Sequence, residues 1–295
     1  MELTFLGTSF MIPTKKRNHS AMLLTHEGEN ILIDCGEGTQ RQFRKAGLNP
    51  GKITKLLITH WHGDHILGIP ALLQTLGMSN YNKTLQIYGP KGTKKHMRVL
   101  SNTFLKGSPV KLQVHEVGAG KIVDEDLVIN AYNMHHGIPC LAYSIKQKTK
   151  RRIDKKKIKK LGLKGPLVGK LQKGKDITFE GKKIKAKDIT YLQEGKKISI
   201  VMDTKINPNC VKAALNADIL VCESTYIDKD KDKAEEYKHM TSSQAGTIAK
   251  KAKAKKLYLT HISQRYETNE NEIARQAKKH FKNTTIAEDL MKVQI

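Results

Sequence analysis

Seven short apolar runs constrain the fold of this chain more than anything else in it: Ile31–Asp34, Leu56–Thr59, Leu85–Tyr88, Leu127–Tyr132, Ile198–Met202, Ile219–Cys222 and Leu257–Thr260. Each is four to six residues, rich in Leu, Ile and Val, and bounded by turn-forming or polar residues, as buried strands are. The lone Trp and few other aromatics leave the core to these aliphatic strands. Helical patterns lie between several of them. Thr39–Ala46 stops at Gly47, a suitable C-terminal cap. Pro70–Met78 opens on proline and puts Leu72, Leu73 and Leu76 on one face. An Ala245/Ile248/Ala249/Ala252 stripe predicts a helix from about Ser242 to Lys256, capped by Thr241 or Ser242. Asn271–Phe281 is expected to form a last helix. Strands interleaved with helices predict a mixed α/β class.

Charge divides the chain unevenly. Lys and Arg number 53 against 28 acids, a net charge of +25, and a field of that sign attracts polyanions. Lys146–Lys197 holds twenty bases against five acids (Asp154, Asp176, Glu180, Asp188 and Glu194), so it carries +15 of the total. With few large apolar residues and turn signals at Gly165-Pro166 and Gly169, this segment is expected to project from the core between two core strands. The four cysteines are scattered without a Cys-x-x-Cys pair, which suits buried thiols in a reducing, cytoplasmic setting. Met1–Gly7 has no secretory pattern, and no run reaches the ~20 apolar residues of a membrane span.

The chemistry concentrates after the run Leu56–Thr59, in His60-Trp61-His62-Gly63-Asp64-His65. In an extended chain residues two apart point the same way, so His60 and His62 can grip one ion. A turn at Gly63 then brings Asp64 and His65 to face a second. Imidazoles with carboxylates are donors that zinc and manganese accept in open sites. Further donors follow later strands: His135-His136, Asp203 and His261. Taken singly these are ordinary surface or capping residues. Their shared position just past a buried strand is where α/β sites collect.

This pattern resembles the metallo-β-lactamase superfamily, which implies an αββα sandwich with a two-metal site on one edge. Further segments resemble the ribonuclease Z family: Phe5–Ser9, Pro13–Asn18, Ile33–Gln40, Cys222-Glu223-Ser224-Thr225, His239-Met240-Thr241 and Leu259–Ser263 with Arg265-Tyr266. Position by position, the resemblance implies that His60, His62 and His136 hold one metal, Asp64, His65 and His261 the other, and Asp203 both. His136 is preferred to His135 because the family's ligand lies seven residues before a tyrosine, here Tyr143. Met202 and Met240 depart from the family's usual Gly and Ser.

The same resemblance implies a single domain over residues 1–295, with 146–197 as an inserted flexible arm, or exosite, that binds tRNA. It implies two Zn²⁺ per subunit (Mn²⁺ is also suited), no organic cofactor, no membrane association, and a homodimer in which one subunit's arm serves the other's site. The implied reaction is hydrolytic removal of the 3′ trailer from precursor tRNA, leaving a 3′-hydroxyl. Pro13–Asn18 resembles the family variant that cuts just after the unpaired discriminator nucleotide, upstream of any encoded CCA. Asp64 would serve as ligand and base, His239 as proton donor oriented by Glu223, and Asp34 as a support behind the ligands. Lys15, Arg17, Thr241, Arg265, Gly165, Pro166 and Lys170 are the expected substrate contacts. Two other readings keep part of the pattern. A small-molecule phosphodiesterase would need the metal residues but has no use for the basic arm. An inert RNA-binding protein would keep the charge but need none of the ligands.

Overall fold

The computed structural model describes residues 1–295. Two seven-stranded sheets stack face to face. The first runs in the order Lys292–Gln294, Glu2–Gly7, Ala21–His26, Glu29–Ile33, Lys55–Leu57, Thr84–Gly89, Lys111–Glu116. The second runs Thr284–Ile286, Lys256–Thr260, Ile219–Glu223, Lys197–Val201, Cys140–Gln147, Leu127–Met134, Gly120–Asp124. Helices cover both outer faces, giving the αββα sandwich.

Side-chain alternation explains why the strands read as unbroken apolar runs. Ile31, Ile33 and Leu57 enter the core between the sheets, with Ile198, Ile200, Val221 and Tyr258 from the other side. Their neighbours Leu32, Leu56 and Ile58 face the other way, toward Phe43, Leu72, Leu73 and Leu76 of the helices Thr39–Lys45 and Ile69–Met78. Leu220, Cys222, Leu257 and Leu259 likewise meet Ala245, Ile248, Ala249 and Ile273 of Ser242–Lys251 and Glu270–His280. Both faces of each central strand are buried, as in parallel sheets generally.

The helix expected to reach Lys256 ends at Lys251, because Lys253 turns to positive φ (52°) and Lys256 already begins the next strand. Several elements lie outside the apolar runs, among them the strands Ala21–His26 and Cys140–Gln147 and the helices Thr93–Phe104, whose apolar positions are sparse, and Pro208–Ala214.

The basic segment emerges between the paired strands Cys140–Gln147 and Lys197–Val201. It contains the helices Lys155–Lys160, Pro166–Gln172 and Ala186–Ile189, and two small antiparallel ribbons, 150–153 with 190–193 and 177–179 with 182–184. Sequence reading found too few apolar residues there for a core. Leu163, Leu171, Ile177, Ala186 and Ile189 nevertheless bury one another in a small satellite core. Modest side chains suffice when the turns bring them together.

Candidate metal centre

Every donor singled out in the sequence leaves a strand at the same edge of the sandwich. His60 lies three residues past Leu57, His136 two past Met134, Asp203 two past Val201, and His261 directly after Thr260. After His62 the chain turns into the short helix Gly63–Ile66, which carries Asp64 and His65. Backbone meets backbone here: a Cβ on Gly68 would sit 2.0 Å from the Gly36 carbonyl oxygen, and one on Gly36 would sit 2.4 Å from that of Asp64. Only glycine allows the approach. It seats the loop after Glu29–Ile33 against the metal motif and lets Asp34, held at φ 57°, reach His65.

Two groups of donors result. His60 Nε2, His62 Nδ1 and His136 Nε2 converge, with His62 Nδ1 3.1 Å from each of the other two nitrogens. Asp203 Oδ2 lies 3.6 Å from His60 and 3.9 Å from His136. In the second group His65 Nε2 and His261 Nε2 are 3.2 Å apart, and each is 3.3 Å from Asp64 Oδ2. Asp203 Oδ1 lies 3.4 Å from His65 and 3.2 Å from His261, so the two oxygens of one carboxylate face different groups. His135 is not among them; its backbone is tied to Thr204 and Lys205.

The remaining ring nitrogens are fixed from behind. His65 Nδ1 meets Asp34 Oδ2 at 2.8 Å, and Asp34 in turn accepts from the Thr59 amide and hydroxyl. His136 Nδ1 meets the Lys238 carbonyl and His60 Nδ1 the Thr59 hydroxyl. His261, at φ 60°, meets the Thr225 hydroxyl at 2.9 Å. These partners leave the front nitrogens as donors toward the cluster.

The residues fit divalent cations. Asp64 Oδ1 and Asp203 Oδ1 are buried without any hydrogen-bond partner, a costly state for carboxylates unless a positive charge faces them. Burial pushes His60, His62 and His136 below the usual histidine range, toward the neutral form that ligates metal. Burial also opposes charge on His65, but Asp203, Asp64 and Asp34 outweigh it and raise that residue's affinity for a positive charge.

Glu223 lies at the end of its strand, fully buried. It accepts from the Thr204 amide at 2.7 Å, the Met240 amide at 3.2 Å and the Thr225 hydroxyl at 2.6 Å, and both its oxygens lie 3.2 Å from His239 Nδ1. Burial works against a charged His239, yet the Glu223 and Asp203 carboxylates lift it to about 9. A cation on Asp203 cancels that residue's share and leaves Glu223's. Met202 and Met240, the two departures from family pattern, are buried in the cores and face no ligand.

A cavity of about 350 Å³ opens onto the cluster, lined by Phe10, Met11, Ile12, His62, Asp64, His136, Asp203, Tyr226, Tyr237, His239, Gln264 and Arg265. Phe10, which no sequence signal picked out, packs edge-on against His239 and His261. Of the expected substrate contacts, Arg265 is exposed at this mouth and Lys15 is exposed on the neighbouring loop. Gly165, Pro166 and Lys170 are exposed in the arm.

Arg17 and Thr241 do not meet the expectation. Arg17 is 4% exposed; its guanidinium pairs with both oxygens of Glu270 and donates to Thr8 and Ala287. Four of its five N–H donors are taken up inside the protein, and Arg17 braces the loop from within. Thr241 is buried and caps the helix Ser242–Lys251 in a reciprocal box with Gln244. Sequence reading had offered it as a cap as well, and the cap is where its hydroxyl is used.

Donors of this kind, hung from strand ends at one edge of an αββα sandwich, mark a metal-dependent hydrolase of the metallo-β-lactamase fold. The metallo-β-lactamase fold protein YhfI of Bacillus subtilis shares that fold, with a TM-score of 0.73 at 18% identity over 99% of this chain and 98% of that one. The kinship narrows further. Over 298 residues the chain is 39% identical to ribonuclease Z of Methanothermobacter thermautotrophicus, covering 100% of this chain and 97% of the relative. It superposes on human tRNase Z, short form, with a TM-score of 0.73 at 31% identity, covering 100% of this chain and 99% of that one. Residues 1–138 also match the family model of the anti-Pycsar protein Apyc1. The chain belongs to the ribonuclease Z family and is a metal-dependent endoribonuclease.

Proposed function

We propose that this endoribonuclease removes the 3′ trailer from precursor tRNA, cutting just after the discriminator nucleotide and leaving a 3′-hydroxyl on the tRNA. The observation that carries the reading is full-length kinship to ribonucleases Z combined with two donor groups that share Asp203. His60, His62 and His136 would hold one Zn²⁺, Asp64, His65 and His261 the other, with Asp203 between them; Mn²⁺ suits the same donors. Two such cations supply Lewis acidity, making a water acidic near neutral pH and offsetting charge on the scissile phosphate. Asp64, a donor to the second group, would also take the proton of the attacking water. His239, pushed upward by the Glu223 carboxylate, would return a proton to the departing ribose 3′-oxygen, with Glu223 holding its ring.

Recognition of the tRNA body is assigned to the arm, through its basic side chains, Lys170 among them, around the Gly165-Pro166 turn. Lys15 and Arg265 would act nearer the cut. Strand direction supports a homodimer. Cys140–Gln147 begins beside His136 and ends at the far edge, and Lys197–Val201 begins there and returns to Asp203. The arm therefore springs from the edge opposite the metals, about 25 Å away for an eight-residue strand, and is better placed for a partner's site than for its own. The four free, buried cysteines accord with a cytoplasmic setting, and no helix is long and apolar enough to cross a membrane.

The test is cleavage of a precursor tRNA with and without chelator, with the product ends mapped. A small phosphodiester assayed in parallel separates this reading from a small-molecule hydrolase. Failure to cut the precursor, or cuts placed after an encoded CCA, would sink the corresponding part of the proposal.

A further inference from the structure

We infer that the helix Thr93–Phe104, with Lys91 before it, is a second RNA-phosphate contact surface beside the metal centre, separate from the basic arm. The inference rests on the RNA-cleaving reading above and adds where the strand near the cut is held.

Register places this helix at the site. Lys55–Leu57 and Thr84–Gly89 are parallel neighbours, with Leu57 opposite Tyr88. Both strands therefore leave the sheet at the same edge, one into His60 and the other into Pro90-Lys91. Trp61, the residue between His60 and His62, then locks the two exits together. Its indole Nε1 donates to Thr93 Oγ1 at 2.9 Å, and its ring lies 4.7 Å from that of His96 at an interplanar angle of 31°. The first turn of the helix is thus fixed relative to two of the donors by a single rigid side chain.

This element carries positive charge with no acid of its own. From Lys91 to Lys106 there are five bases and no acid. Lys91, Lys94, Lys95 and Arg98 are all exposed, and none is in a salt bridge. Some lysines elsewhere are neutralised, such as Lys121 and Lys148 by Asp124 and Lys233 by Asp230, but these four are not. The acid nearest this turn, Glu116, accepts from the Gly92 and Lys94 amides, so it anchors the helix start. Met97 is buried beneath, which turns the charged positions outward. Lys94 and Arg98 stand one turn apart, about 6 Å along the axis, on one exposed face.

Unpaired cations on a helix docked on Trp61, between two of the donors, fit the phosphates of a nucleic-acid strand, contacts that position RNA without reading its sequence. The arm springs from the opposite edge of the sandwich, so this helix and a partner's arm can hold different parts of one RNA.

The test compares the full chain with a Lys91→Gln/Lys94→Gln/Lys95→Gln/Arg98→Gln variant, using precursor tRNA and a series of salt concentrations. Metal content and melting temperature verify that the fold is kept. Every phosphate that a cation ceases to neutralise flattens the log–log salt slope by about 0.7–0.9, so the expected change is about 3, with binding weakened roughly tenfold or more at moderate salt. Should the fourfold variant melt early, Arg98→Glu alone, at an exposed position, should weaken binding and flatten the slope by about 1. Equal affinity and equal slope in the variant and its parent overturn this inference. A parent that neither binds nor cuts precursor tRNA overturns instead the functional reading on which it stands.

Discussion

Thr225→Val isolates one hydroxyl behind the metal centre. Thr225 Oγ1 lies 2.6 Å from Glu223 Oε2 and 2.9 Å from His261 Nδ1. A carboxylate can only accept, so the hydroxyl donates to Glu223 and its lone pair accepts from His261 Nδ1–H. That choice of tautomer leaves His261 Nε2 bare toward Asp64 and Asp203, 3.3 and 3.2 Å away. Valine keeps the shape and removes both bonds. A buried ring N–H left without a partner costs about 1–3 kcal/mol, and losing a support behind a ligand typically lowers metal affinity about 10–100-fold. The assay is metal retained against a competing chelator, read beside kcat and KM for precursor tRNA. The valine variant should release metal earlier and lose kcat with little change in KM, because affinity for RNA comes from phosphate contacts elsewhere. Thr225→Ser, which restores the hydroxyl, should recover both. A valine variant that holds metal and turns over like its parent would refute the argument; a serine variant as impaired as valine would place the effect in packing.

Asp64→Ala should abolish turnover while tRNA binding is largely kept, and normal cleavage at equal metal content would remove Asp64 from its double role. His239→Ala should slow cleavage by roughly 10²–10⁴-fold with both metals retained; loss of an ion on metal analysis would make His239 a ligand. Deleting about Thr149–Lys187 should raise KM for precursor tRNA severely and flatten the salt dependence of binding; an unchanged slope would mean that recruitment lies elsewhere. Arg17→Ala should destabilise the fold by about 3 kcal/mol, as breaking a buried, paired charge does, and a melting temperature equal to the parent's would show that the Glu270 pair contributes nothing.

The sequence by itself determined the central strands and brought the candidate donors into view. Apolar runs of four to six residues show through because both faces of each central strand are buried. A spacing of two residues puts His60 and His62 on one group because local geometry alone decides it. Motif resemblance picked out Asp34 and Glu223, which lie beside His65 and His239, and also Arg17 and Thr241, which are buried on internal partners. Whether a polar side chain faces solvent or a buried partner is not written locally: Arg17 is buried because Glu270, 253 residues away, and the Ala287 carbonyl converge on it.

Tertiary structure decided the rest. The division of Asp203 between two donor groups, the linkage of Glu223 to His261 through Thr225, and the docking of the Thr93–Phe104 helix on Trp61 all join residues from strands distant in the chain. The satellite core of the basic arm depends likewise on turns that bring scattered Leu and Ile together. Periodicity reports which face of an element is buried, and it does so from a few consecutive residues. Which partners meet across that face depends on strand order and register, and those are fixed only when the whole sandwich closes.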